Sequence, residues 1–401
     1  MDFGEVALAG GFLKPAQFAD EAFYPLHLCF CPDCCAVQVI EKVSAEILFA
    51  DYFYFSSSIR TLREHFARYA AETVERFLVP EKSSVLEIGC NDGVLLRPFA
   101  DLGIRTIIGV DPATNVVRTI ADPRINVIND FFTERVAADV VRRHGHVDLV
   151  VANNVYAHIP DIQGVTRAIH QVLGAEGIFV FEVHYLGSVL EEMQYDMVYH
   201  EHLYYYSLLS AMRHFARYSM MVFDVKPVAI HAGSMRFFIC KNGSQHSTRV
   251  SDAVRTLQAK ELARGYHESK TFIHFAAKVA RRREELMTLL ARLKREGRTI
   301  AGYGASGRAN TMIQYCEIGH EHLEYMIDDA PAKAGYCTPG SHFLIHPSAI
   351  LDQPNPPDYL VIFAWSFLGE IQKRCARYLE NGGQMIVPLP EVTIVTGRKT
   401  S

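Results

Sequence analysis

The sequence predicts an α/β fold with two parallel sheets, and three observations carry that prediction. From about residue 51 to 245, short β-branched runs alternate with segments of helical periodicity, as in strands joined by crossover helices. Residues 298–401 return to the same alternation after a helical stretch over roughly 250–297. Both regions open on a strand that runs into a glycine-containing turn.

Each element of the middle region can be justified in order. Ile59, Leu62, Phe66, Tyr69, Val74, Phe77 and Leu78 recur at helical spacing, predicting a helix with one apolar face. Val85 to Ile88 reads as a buried strand, Gly89 to Gly93 as its turn, and Val94 to Phe99 as the helix that follows. Thr106–Val110, Ile125–Ile128, Val147–Ala152 and Gly177–Glu182 read as four further strands. In such sheets ligands lie at the carboxyl ends of the strands, where strand order switches. In the last region, Arg298 to Ala301 leads into Gly302-Tyr303-Gly304-Ala305-Ser306-Gly307, with Arg308 opening a helix. A helix start beside an arginine suits a pyrophosphate. The strand from Tyr359 ends in Trp365, the sole tryptophan.

The bulk numbers narrow the function. A chain of 401 residues suggests two or three domains. A formal charge of −5 gives no general pull toward nucleic acid or anionic membrane. No apolar run approaches the roughly 20 residues that span a bilayer, and Met1 to Glu5 does not open a signal peptide. A cytoplasmic setting is expected, and nine cysteines, an odd number, agree with a reducing one. Oligomeric state is not legible, and a monomer is compatible with everything above.

The strand ends place polar groups where a cofactor would lie. Glu87, Asp111, Asp130 and Asn153 end or follow the first four strands. Gly89 and Gly93 let a ligand approach the main chain. Asp111 is placed to accept two ribose hydroxyls and Asp130 to meet an adenine amino group, with Phe131 beside it. A nicotinamide dinucleotide would call for G-x-G-x-x-G. This turn is Gly89-Cys90-Asn91-Asp92-Gly93, and its anionic Asp92 suits a cationic sulfonium better than a pyrophosphate. Residues 85–154 therefore read as an S-adenosylmethionine-binding methyltransferase core, with Glu87, Gly89, Asn91, Gly93, Asp111, Asp130, Phe131 and Asn153 holding the cofactor. Gly302-x-Gly304-x-x-Gly307 fits the dinucleotide pattern, but nothing around it demands a redox cofactor.

Two clusters carry candidate chemistry. Tyr199-His200-Glu201-His202-Leu203-Tyr204-Tyr205-Tyr206 packs two histidines, a carboxylate and four tyrosines into eight residues. If helical, Glu201 and Tyr204 share a face, as do Tyr199 and His202. The histidines stand at i and i+2, so the i, i+4 zinc pattern of H-E-x-x-H is excluded. Asn153 to Pro160 carries His158 just past the fourth strand.

At these residues the sequence resembles the sugar C-methyltransferases that make branched-chain deoxysugars. The resemblance rests on Glu87 to Gly93, Asn153 to Pro160, Tyr199-x-Glu201-His202, His231 to Arg236, Gly302 to Ala305, and Phe363-Ala364-Trp365, and it spans most of the chain. It implies a class I methyltransferase Rossmann-like domain at 51–245, a second Rossmann-like domain at 246–401 that contributes to the sugar-nucleotide site, and a small zinc-binding-like subdomain at 1–50. It implies a dTDP- or GDP-linked 4-keto-6-deoxysugar as substrate, methylated at a ring carbon beside the ketone, usually C-3. His202 would be the base with Glu201 tuning it, Tyr199 and His158 would steady the enolate or a sugar hydroxyl, and Tyr54, His200, Arg236, Gly304, Asn310 and Trp365 would bind substrate.

One departure stands out. The family's zinc site uses two Cys-x-x-Cys pairs, and only Cys31-Pro32-Asp33-Cys34 is present. Two thiolates do not complete a tetrahedral structural site. Two rival functions stay open at this level. A small-molecule O- or N-methyltransferase would leave the Glu201-His202 pair unexplained, and a silent sugar-nucleotide-binding protein would not bind the cofactor.

Overall fold

The computed structural model describes residues 1–44, 47–48, 56–58, 60–230 and 232–397. Strands are numbered in chain order: β1 (Asp2–Ala7), β2 (Phe23–Phe30), β3 (Val37–Val39), β4 (Ser84–Ile88), β5 (Thr106–Val110), β6 (Ile125–Ile128), β7 (Val147–Asn153), β8 (Leu173–His184), β9 (Tyr204–Tyr205), β10 (Met220–Val228), β11 (Ser234–Lys241), β12 (Ile300–Tyr303), β13 (Met326–Ile327), β14 (Ile345–His346), β15 (Tyr359–Ile362), β16 (Gln384–Val387) and β17 (Thr393–Thr396).

The middle sheet runs β10-β11-β8-β7-β4-β5-β6. Its strands from β8 to β6 are parallel, and β11 enters antiparallel beside β8. Order reverses between β4 and β7, which places the ligand crevice at their carboxyl ends. Every residue of β4 is buried, because helices cover both faces of a parallel sheet and a continuous apolar run is needed to fill them. The helix Arg60–Phe77 buries Leu62, Phe66, Tyr69 and Val74 against one face. The helices Glu134–His144, Ile162–Val172 and Leu208–Ala216 cover the other.

The C-terminal sheet runs β14-β13-β12-β15-β16-β17, parallel except for β17. The N-terminal strands form a sheet in the order β1-β2-β3-β9. Its last strand comes from the middle of the chain, with Val37 paired to Tyr205 and Gln38 to Tyr204. One apolar core joins Phe3, Val6, Leu26 and Val39 to Leu186, Val189, Tyr195 and Val198, and to Leu286, Ile313 and Phe343. The segment 186–198 is thus buried among the N- and C-terminal regions, not in the core of its own sheet. No helix among the described residues is long and apolar enough to cross a membrane.

Local structure departs from the sequence expectations in four places. The helix after β4 begins at Leu96, later than expected, because Asn91 at φ 49° and Gly93 at φ 75° extend the turn. The stretch 250–297 is two helices, Asp252–Ala263 and Ser269–Arg295, broken at Gly265 with φ 70°. The Tyr199 to Tyr206 cluster is a turn followed by β9, not a helix. β15 ends at Ile362, and Trp365 begins a short 3-10 turn. Ile59, Tyr54 and His231 lie outside the described residues.

Candidate active site

The loop after β4 is built to expose polar groups inward. Gly89 takes φ 70°, and a Cβ there would lie 2.4 Å from a Val155 methyl. Asp111, at the end of β5, accepts the Asn91 N–H at 2.9 Å and the Ala113 N–H at 2.8 Å. That fixes its carboxylate while leaving lone pairs on both oxygens. The turn Ser56–Ser58 closes over the loop, with Ser56 N–H donating to Asn91 and Ser57 N–H to Asp92.

The groups left over mark a ligand cradle. Among the described residues, Glu87 Oε2, Asp92 Oδ1 and both amide atoms of Asn153 are buried without hydrogen-bond partners. Such orphans are costly in a folded protein and call for an absent partner. Burial pushes the Glu87 carboxyl well above its usual range; the nearby Asn153 amide opposes this, and Asp111 and Asp92 add to the push. A cation arriving there would relieve this strain. The residues therefore fit S-adenosylmethionine. Phe131 is exposed, and Asp130 accepts from Arg135 and from the Phe131 N–H.

The chemical cluster lies at the meeting point of all three regions. The turn at 199–203 is pinned by Leu203 N–H donating to Ala157 O at 2.9 Å. Tyr199 and His202 rings stand 3.9 Å apart, and His158 and His202 rings 5.0 Å. His202 Nδ1 donates to Met197 O at 2.7 Å. Its Nε2 is therefore the basic nitrogen. Burial, with His158 next, pushes His202 well below the ordinary histidine range, and burial pushes His158 down to about 4. Both rings are neutral near pH 7. The ring of His158 is hydrogen-bonded to the Glu201 backbone.

Glu201 does not orient His202, contrary to expectation, because the Met197 carbonyl occupies that place. Its carboxyl points instead toward the N-terminal loop, where a Cβ on Gly10 would be 3.4 Å from Oε1. Burial pushes it up to about 7. From the C-terminal side, a Cβ on Gly307 would lie 3.7 Å from Tyr199 Cζ.

Several expected substrate contacts are occupied by protein. His200 Nε2 donates to Pro25 O at 3.0 Å, on the far side of the turn from His202. Arg236 forks onto the fully buried Glu182 at 3.0 and 2.8 Å and lies 3.5 Å over the Tyr69 ring. His65 completes that network at 2.7 Å from Glu182. Burial raises the Glu182 carboxyl, but His65 and Arg236 outweigh it and hold the group low. Asn310 Nδ2 donates to Ala9 O at 2.6 Å, and Trp365 Nε1 to Asp196 at 2.9 Å. Arg308 also binds Asp196, so it is not available to a pyrophosphate. Gly304 takes φ 94°, with Ala364 filling the space a side chain would need.

Sequence reasoning missed His184, the last residue of β8. It also missed Asp196 and Met197. Only the parity of β8, which sends His184 to the same strand end as Glu182, hinted at the first.

Cys31 and Cys34 sit in the β2–β3 turn. Hydrogen bonding from the Cys34 backbone holds the Cys31 thiol down, while burial raises that of Cys34. Among the described residues no group of three or more His, Cys, Asp or Glu side chains is arranged to hold a metal ion. The pair thus supplies half of a tetrahedral zinc set and does not complete one.

Comparison with known proteins agrees with this geometry. A methyltransferase domain model matches residues 62–218 and a C-methyltransferase C-terminal domain model residues 229–390. A third model, named for zinc binding, matches residues 1–49. The C-methyltransferase NovU of Streptomyces niveus is 32% identical over 401 residues, covering all of this chain and 94% of that one. A ubiquinone biosynthesis O-methyltransferase of Methylobacterium nodulans is 30% identical over 125 residues, 30% of this chain and 49% of its own. The solved structure of the glycopeptide N-methyltransferase MtfA with S-adenosylmethionine aligns at a TM-score of 0.35 and 15% identity, over 44% of this chain and 87% of that one. With all of its length matched to a C-methyltransferase at 32% identity, this chain belongs to the C-methyltransferases, enzymes that take their methyl group from S-adenosylmethionine.

Proposed function

We propose that the enzyme methylates a ring carbon, C-3, of a nucleotide-linked 4-keto-6-deoxysugar by way of an enolate. The observation that carries this reading is the state of His202: neutral, buried, its Nδ1 proton given to Met197, and its Nε2 left basic. A saturated ring carbon is a poor nucleophile unless a neighbouring ketone acidifies its C–H, so a C-methyltransferase acting on such a carbon needs a base. S-adenosylmethionine, when bound, supplies an electrophilic methyl on a sulfonium.

His202 Nε2 takes the C-3 proton. The resulting imidazolium and enolate are both costly in a dry site, but they form together and offset one another. Glu201, raised to about 7, is partly protonated at neutral pH and can donate to the enolate oxygen or a sugar hydroxyl, replacing the tuning role first assigned to it. Tyr199 and His158 border the same space: the Tyr199 hydroxyl can donate to the enolate oxygen, and the neutral His158 ring can accept from a sugar hydroxyl. Glu87, Gly89, Asn91, Gly93, Asp111 and Asn153 hold the cofactor, with Phe131 at its rim. We read residues 1–50, 51–245 and 246–401 as three units whose junction forms the substrate site.

The test is a panel of dTDP- and GDP-linked 4-keto-6-deoxysugars, assayed with S-adenosylmethionine and followed by NMR. The C-3 proton should exchange with deuterated solvent before methylation. His202→Asn should cut both exchange and methylation by about 10²–10⁴. Near-wild-type exchange in that variant would remove His202 from the role, and no product from any 4-keto sugar would remove the substrate class.

A further inference from the structure

The base of this site is held by a segment that the C-terminal region grips. The 3-10 turn Tyr195–Met197 and Val198 precede the cluster directly. Asp196 is fully buried, and its carboxylate accepts Arg308 Nε at 2.9 Å, the second guanidinium nitrogen at 3.1 Å and Trp365 Nε1 at 2.9 Å. Arg308 lies over the Trp365 ring at 4.9 Å. Thr311 Oγ1 donates to Val198 O at 3.1 Å. All three donors belong to the C-terminal region, two of them to the helix Gly307–Cys316. Between these anchors lies Met197, whose carbonyl accepts both His202 Nδ1 and Tyr205 OH, at 2.7 and 3.0 Å.

A carbonyl only accepts, so its position dictates which ring nitrogen of His202 keeps the proton. Moving Met197 by about an ångström would lose that instruction and the aim of the ring together. We propose that Arg308, Thr311 and Trp365 are positioning residues for the methyl-transfer reaction, which set the tautomer and orientation of His202 through Asp196 and the Met197 carbonyl. The inference rests on His202 being the base. It makes the C-terminal region part of the catalytic apparatus even where it touches no substrate. It also explains why a buried carboxylate takes three charged or polar donors from another part of the fold, since removing one partner of such a set leaves a buried group unsatisfied.

The experiment uses the full chain labelled with ¹⁵N-histidine. Long-range proton–nitrogen spectra report the tautomer of each ring, and His202→Asn identifies the His202 signals by their loss. Wild type should show Nδ1 protonated and Nε2 bare. Trp365→Phe keeps an aromatic ring, Thr311→Val keeps volume, and each removes one donor, so both should fold. Combined, they should yield a mixture of His202 tautomers and lower kcat at least about tenfold, with KM for S-adenosylmethionine changed less than about twofold. Arg308→Lys, which keeps charge but loses the fork, should give a smaller shift in the same direction. An unchanged His202 tautomer in the double variant overturns the proposal, whatever happens to the rate. A shifted tautomer with normal C-3 exchange in His202→Asn would instead overturn the base assignment while leaving the positioning intact.

Discussion

Two glycine turns in this chain look alike in sequence and differ in use. Gly89 to Gly93 follows β4, Gly302 to Gly307 runs from the end of β12 through the turn after it, and each leads from a parallel strand into a helix. The second fits the dinucleotide pattern better than the first. Yet the first is ringed by buried atoms without partners on Glu87, Asp92 and Asn153, whereas the second is spent on protein. Arg308 and Trp365 hold Asp196, Asn310 holds Ala9 O, and Lys333 Nζ donates to Ala305 O at 2.6 Å. Among the described residues, Asn310 Oδ1 is the one buried side-chain atom there without a partner. A glycine motif reports backbone geometry. Whether the turn binds a ligand or a neighbouring domain is decided by the side chains that meet it.

The largest test of this contrast is on the first turn. Asp111→Ala removes the carboxylate proposed to accept two hydroxyls of the cofactor ribose. Charge-assisted hydrogen bonds of this kind are worth about 1.5–3 kcal/mol each, so calorimetry should show S-adenosylhomocysteine affinity falling by about a hundredfold or more. A fall below threefold would mean the cradle lies elsewhere. The same titration with a nicotinamide dinucleotide should show no binding to wild type, and stoichiometric heat from the second turn would reverse its assignment as a joint.

A smaller effect of a different kind belongs to the second turn. Gly304→Ala places a Cβ 2.5 Å from Ala364 on a residue at φ 94°, in a region of the map that costs on the order of 1–3 kcal/mol for other residues. The melting temperature should drop by several degrees, while cofactor affinity stays within about twofold. Loss of cofactor binding without loss of stability would show that this turn, too, serves the ligand.

The sheet was legible in the sequence because its strands are continuous apolar runs. Thr106–Val110 and Ile125–Ile128 coincide with β5 and β6. The carboxylates proposed to hold the cofactor sit where those runs stop. The clamp on His202 was not. Asp196, Met197 and Arg308 are far apart in sequence, and Met197 acts through a carbonyl that every residue possesses. Glu201 was misread because adjacency to His202 suggested contact, whereas in an extended turn neighbouring side chains diverge. His200 shows the same alternation, turning to Pro25 while His202 turns to the cleft. Arg236 was misread as a ligand contact because nothing local shows that Glu182 waits opposite it across β8 and β11.

The finest distinction between the two turns is in protons. Glu87 is buried among Asp111 and Asp92, and its carboxyl is raised well above the ordinary range. A raised carboxyl holds its proton in the folded protein over a window where the unfolded chain has lost it, so stability falls as pH rises from the ordinary carboxylate value of about 4.3 toward the folded one. A cation bound beside Glu87 favours the ionised form and expels that proton. S-adenosylmethionine binding should therefore tighten with rising pH and release protons, read as a dependence of the calorimetric heat on the buffer's ionisation enthalpy. S-adenosylhomocysteine, which lacks the sulfonium charge, should release fewer. Glu87→Gln should abolish the difference between the two ligands while retaining the neutral contacts. Equal proton release by both ligands in wild type would mean that Glu87 answers to another part of the cofactor, and that the sulfonium is not what the buried carboxyls of this turn are arranged to meet.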